Sequence, residues 1–190
     1  MDRDQALIDA TDNFLRLLDL ATEANLDDPT PCEGWNVREL IAHVTAGSTM
    51  AIALVDGCTQ EQASQAIGAP LPGDDELIST CRHALGGAVA ALEGPIAPDT
   101  IVHHPIGDVP ASQLLSFRVG DLVLHSWDLA TALKVDASIP PALAQRAYDD
   151  LSPMAPFIGS IGLFGDGPSG SIAEGSDVQT LLLDLSGRRP

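Results

Sequence analysis

Residues 117–133, FRVGDLVLHSWDLATAL, constrain this chain more than any other segment. Leu122, Val123, Leu124, Leu129 and Leu133 make the segment apolar around most of a helical circumference. It is therefore expected to run through the middle of the molecule rather than along its surface. Within it Arg118, Asp121, His125 and Asp128 recur at intervals of three, four and three, which places all four on one helical face. A central helix with a continuous polar stripe needs partners for those groups, because an unpaired buried charge is strongly unfavourable. Two arrangements meet that need. Residues four apart stand one above the other, about 6 Å apart along the axis, so Asp121 and His125 can close on one cation. An ion pair between Arg118 and Asp121, beside a hydrogen-bonded core histidine, serves equally well.

His43 bears on that choice. A helix is expected to start at Asn36, whose side chain caps it, with Glu39 three residues later completing a capping box. Val37, Leu40, Ile41, Val44 and Met50 form its apolar face to about Leu54, and His43 lies among them. A single histidine in such a place is ordinarily structural. Two on neighbouring helices, one with a carboxylate a turn away, make a ligand set of His43, Asp121 and His125 with a coordination position left open. Glu39 is the competing carboxylate, four residues before His43, but its place in the capping box assigns it to the helix terminus.

The rest of the chain reads as further helices. An apolar stripe of Leu7, Ile8, Phe14, Leu15, Leu18 and Ala21 predicts a helix from about 3 to 24, closed by Asn25 and broken by the prolines at 29 and 31. Residues 57–73 are weakly helical. A third long helix is expected at 74–92, with Gly86 and Gly87 weakening its second half. Residues 94–111 read as a short strand or hairpin. The central helix is expected from 110 to about 133 with Ser112 as its cap, a fifth from Pro141 to about 157, and a last short one at 178–185. Four principal helices with accessory short ones make an all-α four-helix bundle, and a small hairpin is expected on it. Residues 1–158 are read as the bundle, and 159–190 as a Gly-rich connector and short helix packing on the same domain.

Composition limits what such a bundle meets. The 190 residues include 27 acidic and 9 basic ones, a formal charge of -18, which repels phosphate backbones and anionic lipid. Nucleic acid and membrane are accordingly excluded as expected partners. No apolar run reaches the roughly 18 residues that a membrane span needs. The N-terminal residues lack the pattern of a signal peptide, and Cys32, Cys58 and Cys81 form no CxxC pair, so a cytoplasmic, reduced protein is expected. Hydrophobic residues are 45% of the chain but aromatics only 4%, so aliphatic side chains must fill the core.

The pieces TPCEGWNVRELIAHVTAG (30–47) and VGDLVLHSWDLATAL (119–133) resemble the N-terminal domain of the mycothiol-dependent maleylpyruvate isomerase, within the DinB-like metal-binding superfamily. HHPIGDVPASQLL (103–115) and LLLDLSGRRP (181–190) are similar to one actinobacterial branch described as metal-binding. The resemblance implies a DinB-like four-helix bundle with a divalent metal ion, typically zinc, held by His43, Asp121 and His125. The isomerase has glutamate where this chain has Asp121, about 1.5 Å shorter in reach, so a bridging water there is an alternative to direct ligation. It also has an additional C-terminal domain for which this chain has little room, and its substrate specificity does not carry over.

The functional expectation is a metal- and thiol-dependent transferase or isomerase, with zinc or another divalent ion and mycothiol as the cofactors and Arg118 as anchor for an anionic substrate group. Expected partners are a small-molecule substrate or thiol, and a homodimer is an admissible assembly. A non-catalytic metal- or small-molecule-binding protein and a purely structural ion-pair network are the alternatives. Asp128 is expected to orient a ligand histidine or to pair with Arg118. Trp127 reads as a core anchor, Trp35 as packing where the second helix begins, and Cys32 as structural, since only Glu33 and Arg38 stand near it in sequence. Of His103 and His104, alternation lets only one face the bundle. The Gly-rich 159–175 stretch lacks the ending of a phosphate loop and reads as a connector.

Overall fold

Side-chain caps at Asn36, Thr59 and Asp177 mark where three helices of this chain begin. In the computed structural model, which describes residues 3–68, 70, 73–94, 96–158, 167–173 and 175–189, the first helix, α1, spans Arg3–Leu18. It buries Ala6, Leu7, Ala10, Phe14, Leu17 and Leu18 along one face. It stops earlier than expected. The amides of Leu20 and Ala21 turn back to the carbonyls of Leu17 and Leu18, tightening the last turn. Asn25 then belongs to a separate 3-10 turn, Glu23–Asn25, where its side-chain oxygen accepts from the Thr22 backbone and hydroxyl.

Helix α2, Val37–Val55, starts as predicted. Asn36 accepts from the Glu39 amide at 3.0 Å, and Glu39 accepts from the Asn36 amide at 2.7 Å, so Glu39 is engaged at the terminus. The weakly helical stretch contains α3, Gln60–Ile67, capped by Thr59. Helix α4, Asp74–Leu92, begins with three acidic residues that suit the positive end of its dipole. Gly87 does more than weaken it. A Cβ there would stand 2.9 Å from Ile52 Cδ1, so the missing side chain lets α4 lie close on α2.

Strands β1, Ile101–His104, and β2, Gly107–Pro110, form an antiparallel hairpin that pairs His103 with Asp108. Helix α5, Ala111–Ala132, follows at once. Ser112 does not cap it. Instead the amides of Ala111 and Ser112 donate to the carbonyls of Thr100 and Pro98, so the chain leading into the hairpin satisfies that helix end. Helix α6, Pro141–Leu151, is shorter than expected because Pro153 turns the chain into a 3-10 turn, Ser152–Met154, ahead of the short α7, Ala155–Ile158. Helix α8 covers Val178–Leu185.

Helices α1, α2, α4 and α5 make the bundle: α2 packs along α4, α1 along α5, and the ring closes through α2 with α5 and α1 with α4. Its core is aliphatic, built from residues such as Leu40, Ile41, Leu85, Leu114 and Leu122, with Phe14 and Trp127 as large aromatic members. Helix α6 packs on α5, and α8 packs on α6. The all-α bundle with accessory helices and a hairpin is thus what the chain forms. Residues 159–166 of the expected connector lie outside the described residues. Among the described residues no helix is long and apolar enough to cross a membrane.

Candidate metal centre

The polar stripe of α5 survives folding as one connected set of contacts. Arg118, His125 and Asp128 are buried, and Asp121 is 22% exposed at its side chain. Asp121 is the hub, and its two oxygens face different partners. Oδ2 accepts from Arg118 Nη1 at 2.9 Å. Oδ1 stands 3.0 Å from His43 Nε2 and 3.4 Å from His125 Nε2. The ion pair and the ligand cluster, alternatives at the level of sequence, therefore coexist on opposite oxygens of one carboxylate.

Helix α2 supplies His43 and also makes room for Arg118. A Cβ at Gly47 would fall 2.5 Å from Arg118 Nη1, so the guanidinium lies across the bare backbone of α2 at that point. From there Nη2 reaches Ser48 Oγ at 3.1 Å. Arg118 was expected to anchor an anionic substrate group. With its donors on Asp121 and Ser48 and its side chain 6% exposed, it instead braces the carboxylate from inside.

The loop before α2 covers the histidines. Trp35 donates its amide to the Cys32 carbonyl across a turn in which Gly34 has φ 76°, a conformation that glycine adopts at little cost. Thr30 binds the Trp35 carbonyl through both its amide and its hydroxyl. So held, the Trp35 ring lies 4.9 Å from the His43 ring and 5.9 Å from that of His125, with an interplanar angle of 26° to the latter. Trp35 is thus more than packing at a helix start: it roofs both imidazoles. His43, with 38% of its side chain exposed, forms the open side of the centre.

Behind His125 lies a second set of groups. Its Nδ1 stands 2.9 Å from Asp128 Oδ2, so Asp128 orients the ring as one of its two expected roles required. Its basic partner is Arg188 rather than Arg118, and Arg188 comes from beyond α8. Cys32 donates its thiol to Asp128 Oδ2 at 3.2 Å and lies 4.0 Å from His125 Nδ1. Two overlapping groups of metal-capable donors result, His43–Asp121–His125 and Cys32–His125–Asp128, each with its donor atoms within 4.8 Å of one another. The second is already neutralised by Arg188, whereas the first presents two imidazole nitrogens and a carboxylate oxygen to a common point.

The charges reinforce this division. Burial pushes the Asp121 carboxyl up, but Arg118, His43 and His125 together hold it well below the usual range. Burial works against a proton on His125, yet Asp121 beside it, helped by hydrogen bonds to Asp121, Asp128 and Cys32, raises its pKa well above the ordinary value. Asp128 is also opposed by burial, and its hydrogen bonds with His125 and Arg188 bring it down to about 2. These shifts favour the charged form of each group, and a cation at the two imidazoles would compete with protons for them.

The remaining candidates lie apart from this cluster. His103 is exposed and pairs with Asp108 at 2.8 Å across the hairpin, while His104 is half-buried with its ring 5.6 Å from that of Phe117. Trp127 is buried in the core. Cys81 is fully buried between helices, and burial pushes its thiol up to about 11 although a hydrogen bond with Thr45 pulls the other way.

Two uncharacterised proteins, from two strains of Mycobacterium tuberculosis, are each 29% identical over 138 residues, 71% of this chain and 69% of theirs. The fold is similar to the crystal structure of the mycothiol-dependent maleylpyruvate isomerase, with a TM-score of 0.68 at 20% identity over 98% of this chain and 88% of that one. A mutant of that isomerase gives the same score and identity over 95% and 86%. Most of that protein's length therefore has a counterpart in this fold. The profile of the mycothiol maleylpyruvate isomerase N-terminal domain matches residues 7–130, a span that contains His43, Asp121 and His125. The chain belongs to that family, and its bundle is of the DinB-like kind.

Proposed function

We propose that the protein binds a divalent metal ion, zinc by its donor set, through His43, Asp121 and His125, and acts as a low-molecular-weight-thiol-dependent transferase or isomerase. One observation carries the reading: two imidazole nitrogens lie 3.0 and 3.4 Å from the same carboxylate oxygen. A tetrahedral ion with bonds of about 2.1 Å holds its donors roughly 3.4 Å apart, so the residues present fit such an ion. The closeness of Asp121 Oδ1 to both imidazole nitrogens supports direct ligation by the shorter aspartate over a bridging water. When bound, the ion supplies a positive charge that favours the thiolate over the thiol, or hydroxide over water, at neutral pH.

The chain's own residues do the positioning. Arg118 fixes the Asp121 oxygen that faces away from the histidines, leaving Oδ1 for the ion. Asp128 accepts a hydrogen bond from the Nδ1–H of His125, so that Nε2 carries the lone pair toward the same point. Trp35 shields the imidazoles from water on one side. The exposed edge of His43 leaves a route for a small thiol. The family name supports mycothiol as that thiol; the second substrate is an electrophile of unspecified class.

The inward engagement of Arg118 favours a second reading, a metal- or small-molecule-binding protein without turnover, because the expected anchor for an anionic substrate is occupied. Elemental analysis followed by a thiol-dependent turnover screen separates the two. The enzyme reading expects near-stoichiometric zinc and a turnover lost with chelator and with His43→Ala. Zinc without turnover leaves the binding protein, and no zinc above trace levels overturns both.

A further inference from the structure

Arg188 lies outside the residues matched to the family profile, yet its side chain is only 10% exposed and reaches the interior of the bundle. Its approach is built by the end of α8. Gly187 has φ 77°, its amide donates to the Asp184 carbonyl at 3.0 Å, and the Arg188 amide donates to the Leu183 carbonyl at 2.8 Å. These two bonds and the left-handed glycine make a Schellman motif, which turns the chain back toward the bundle at residue 188. The guanidinium then meets Asp128 as a fork, Nε to Oδ1 at 2.9 Å and Nη2 to Oδ2 at 2.5 Å. Nη1 adds a bond to the Ser186 carbonyl at 3.3 Å, so the fork is tied to its own turn.

We infer that Arg188 is a positioning residue for the metal centre: by clamping both oxygens of Asp128 it fixes the direction in which His125 presents Nε2 toward Asp121 and His43. The inference rests on the metal reading above and deepens it. Asp128 has no exposure to solvent, and its Oδ2 must serve His125, Cys32 and Arg188 together. Without the fork the carboxylate can turn about its own axis, and the ring that depends on it turns too. Outer partners of this kind alter metal affinity by about 10- to 100-fold, and Arg188, one contact further out, belongs at the lower end of that range. The coupling must be reciprocal: an ion that selects the aligned His125 also favours the docked turn at 183–188.

The test combines chelator-competition titration of zinc with hydrogen exchange at the Gly187 and Arg188 amides, with and without zinc. Wild type is expected to show slower exchange at those amides when zinc is present. Arg188→Gln is expected to bind zinc about tenfold more weakly and to lose that zinc-dependent protection. Arg188→Lys, which keeps the charge but not the fork, is expected to fall between. Gly187→Ala strains the turn while keeping the guanidinium, and it serves if Arg188→Gln does not fold; a weaker zinc affinity is expected there also. Variants that melt lower but match wild type in zinc affinity and in zinc-dependent exchange make Arg188 a structural residue only and overturn the inference, leaving the metal reading intact. Wild-type protein with no measurable zinc affinity overturns the metal reading and takes this inference with it.

Discussion

Two histidine–aspartate pairs in this molecule have nearly the same length and different consequences. His103 and Asp108 meet at 2.8 Å across the hairpin, and His125 and Asp128 meet at 2.9 Å along α5. The first pair is 51% and 66% exposed at its side chains; the second is 10% and 0% exposed. At the hairpin, water can replace either partner, so the pair governs little beyond itself. In the bundle each member must be satisfied by protein, which draws in Arg188, Cys32 and Asp121 and holds Nε2 of His125 in one place. Pair geometry alone therefore does not mark a centre; buried partners that leave one donor atom free do.

The largest expected effect is on the metal itself. His125→Ala or His43→Ala should remove measurable zinc binding in a chelator competition, a loss beyond the roughly 100-fold upper end for an outer partner. His103→Ala should leave the same titration unchanged, and a shared loss would break the contrast between the pairs. Next comes Asp128→Ala, which strands the Arg188 charge in the interior and should cost about 3–5 kcal/mol by denaturant unfolding. A loss of under about 1 kcal/mol would mean that burial does not separate the two pairs.

Acid sharpens the same point. The Asp128 carboxyl is held at about 2 in the folded protein, below the roughly 3.9 of an unfolded aspartate. Its ionised form therefore stabilises the fold fully above about pH 4, and that contribution fades as pH falls toward 2. The stability difference between wild type and Asp128→Asn should shrink across this window. Gly47→Ala should cost about 1–3 kcal/mol, because the new methyl meets the Arg118 guanidinium. The smallest effect belongs to the hairpin: Asp108→Ala should stay within about 0.5 kcal/mol of wild type.

Features governed by local rules were legible in the sequence. The Asn36–Glu39 capping box places the start of α2, and the three-four-three spacing puts Arg118, Asp121, His125 and Asp128 on one face of α5. His43 stood out because it interrupts an apolar helix face. What escaped was long-range. Arg188 is 60 residues from Asp128, and Cys32 is 96 away from it, so neither contact has a periodicity to betray it. The hint for Arg188 was compositional: it and Arg189 are two of only 9 basic residues, following Gly187 directly. The ends of α1 and α6 were misjudged for a local reason: Ala21 keeps the helical spacing although its amide already bonds in a tighter turn, and Pro153 closes α6.

Because Arg118, Asp121, His125 and Asp128 share one uninterrupted helix, their alignment is set by residue count rather than by residue type. Each added or deleted residue rotates everything beyond it by about 100° about the helix axis. A single-codon insertion between 121 and 125 would thus swing His125 and Asp128 into the apolar core while leaving every side chain present. Substitution can adjust this centre one contact at a time, but a change of length within α5 dismantles it in one step, and lineages that vary in length are expected to do so in the loops.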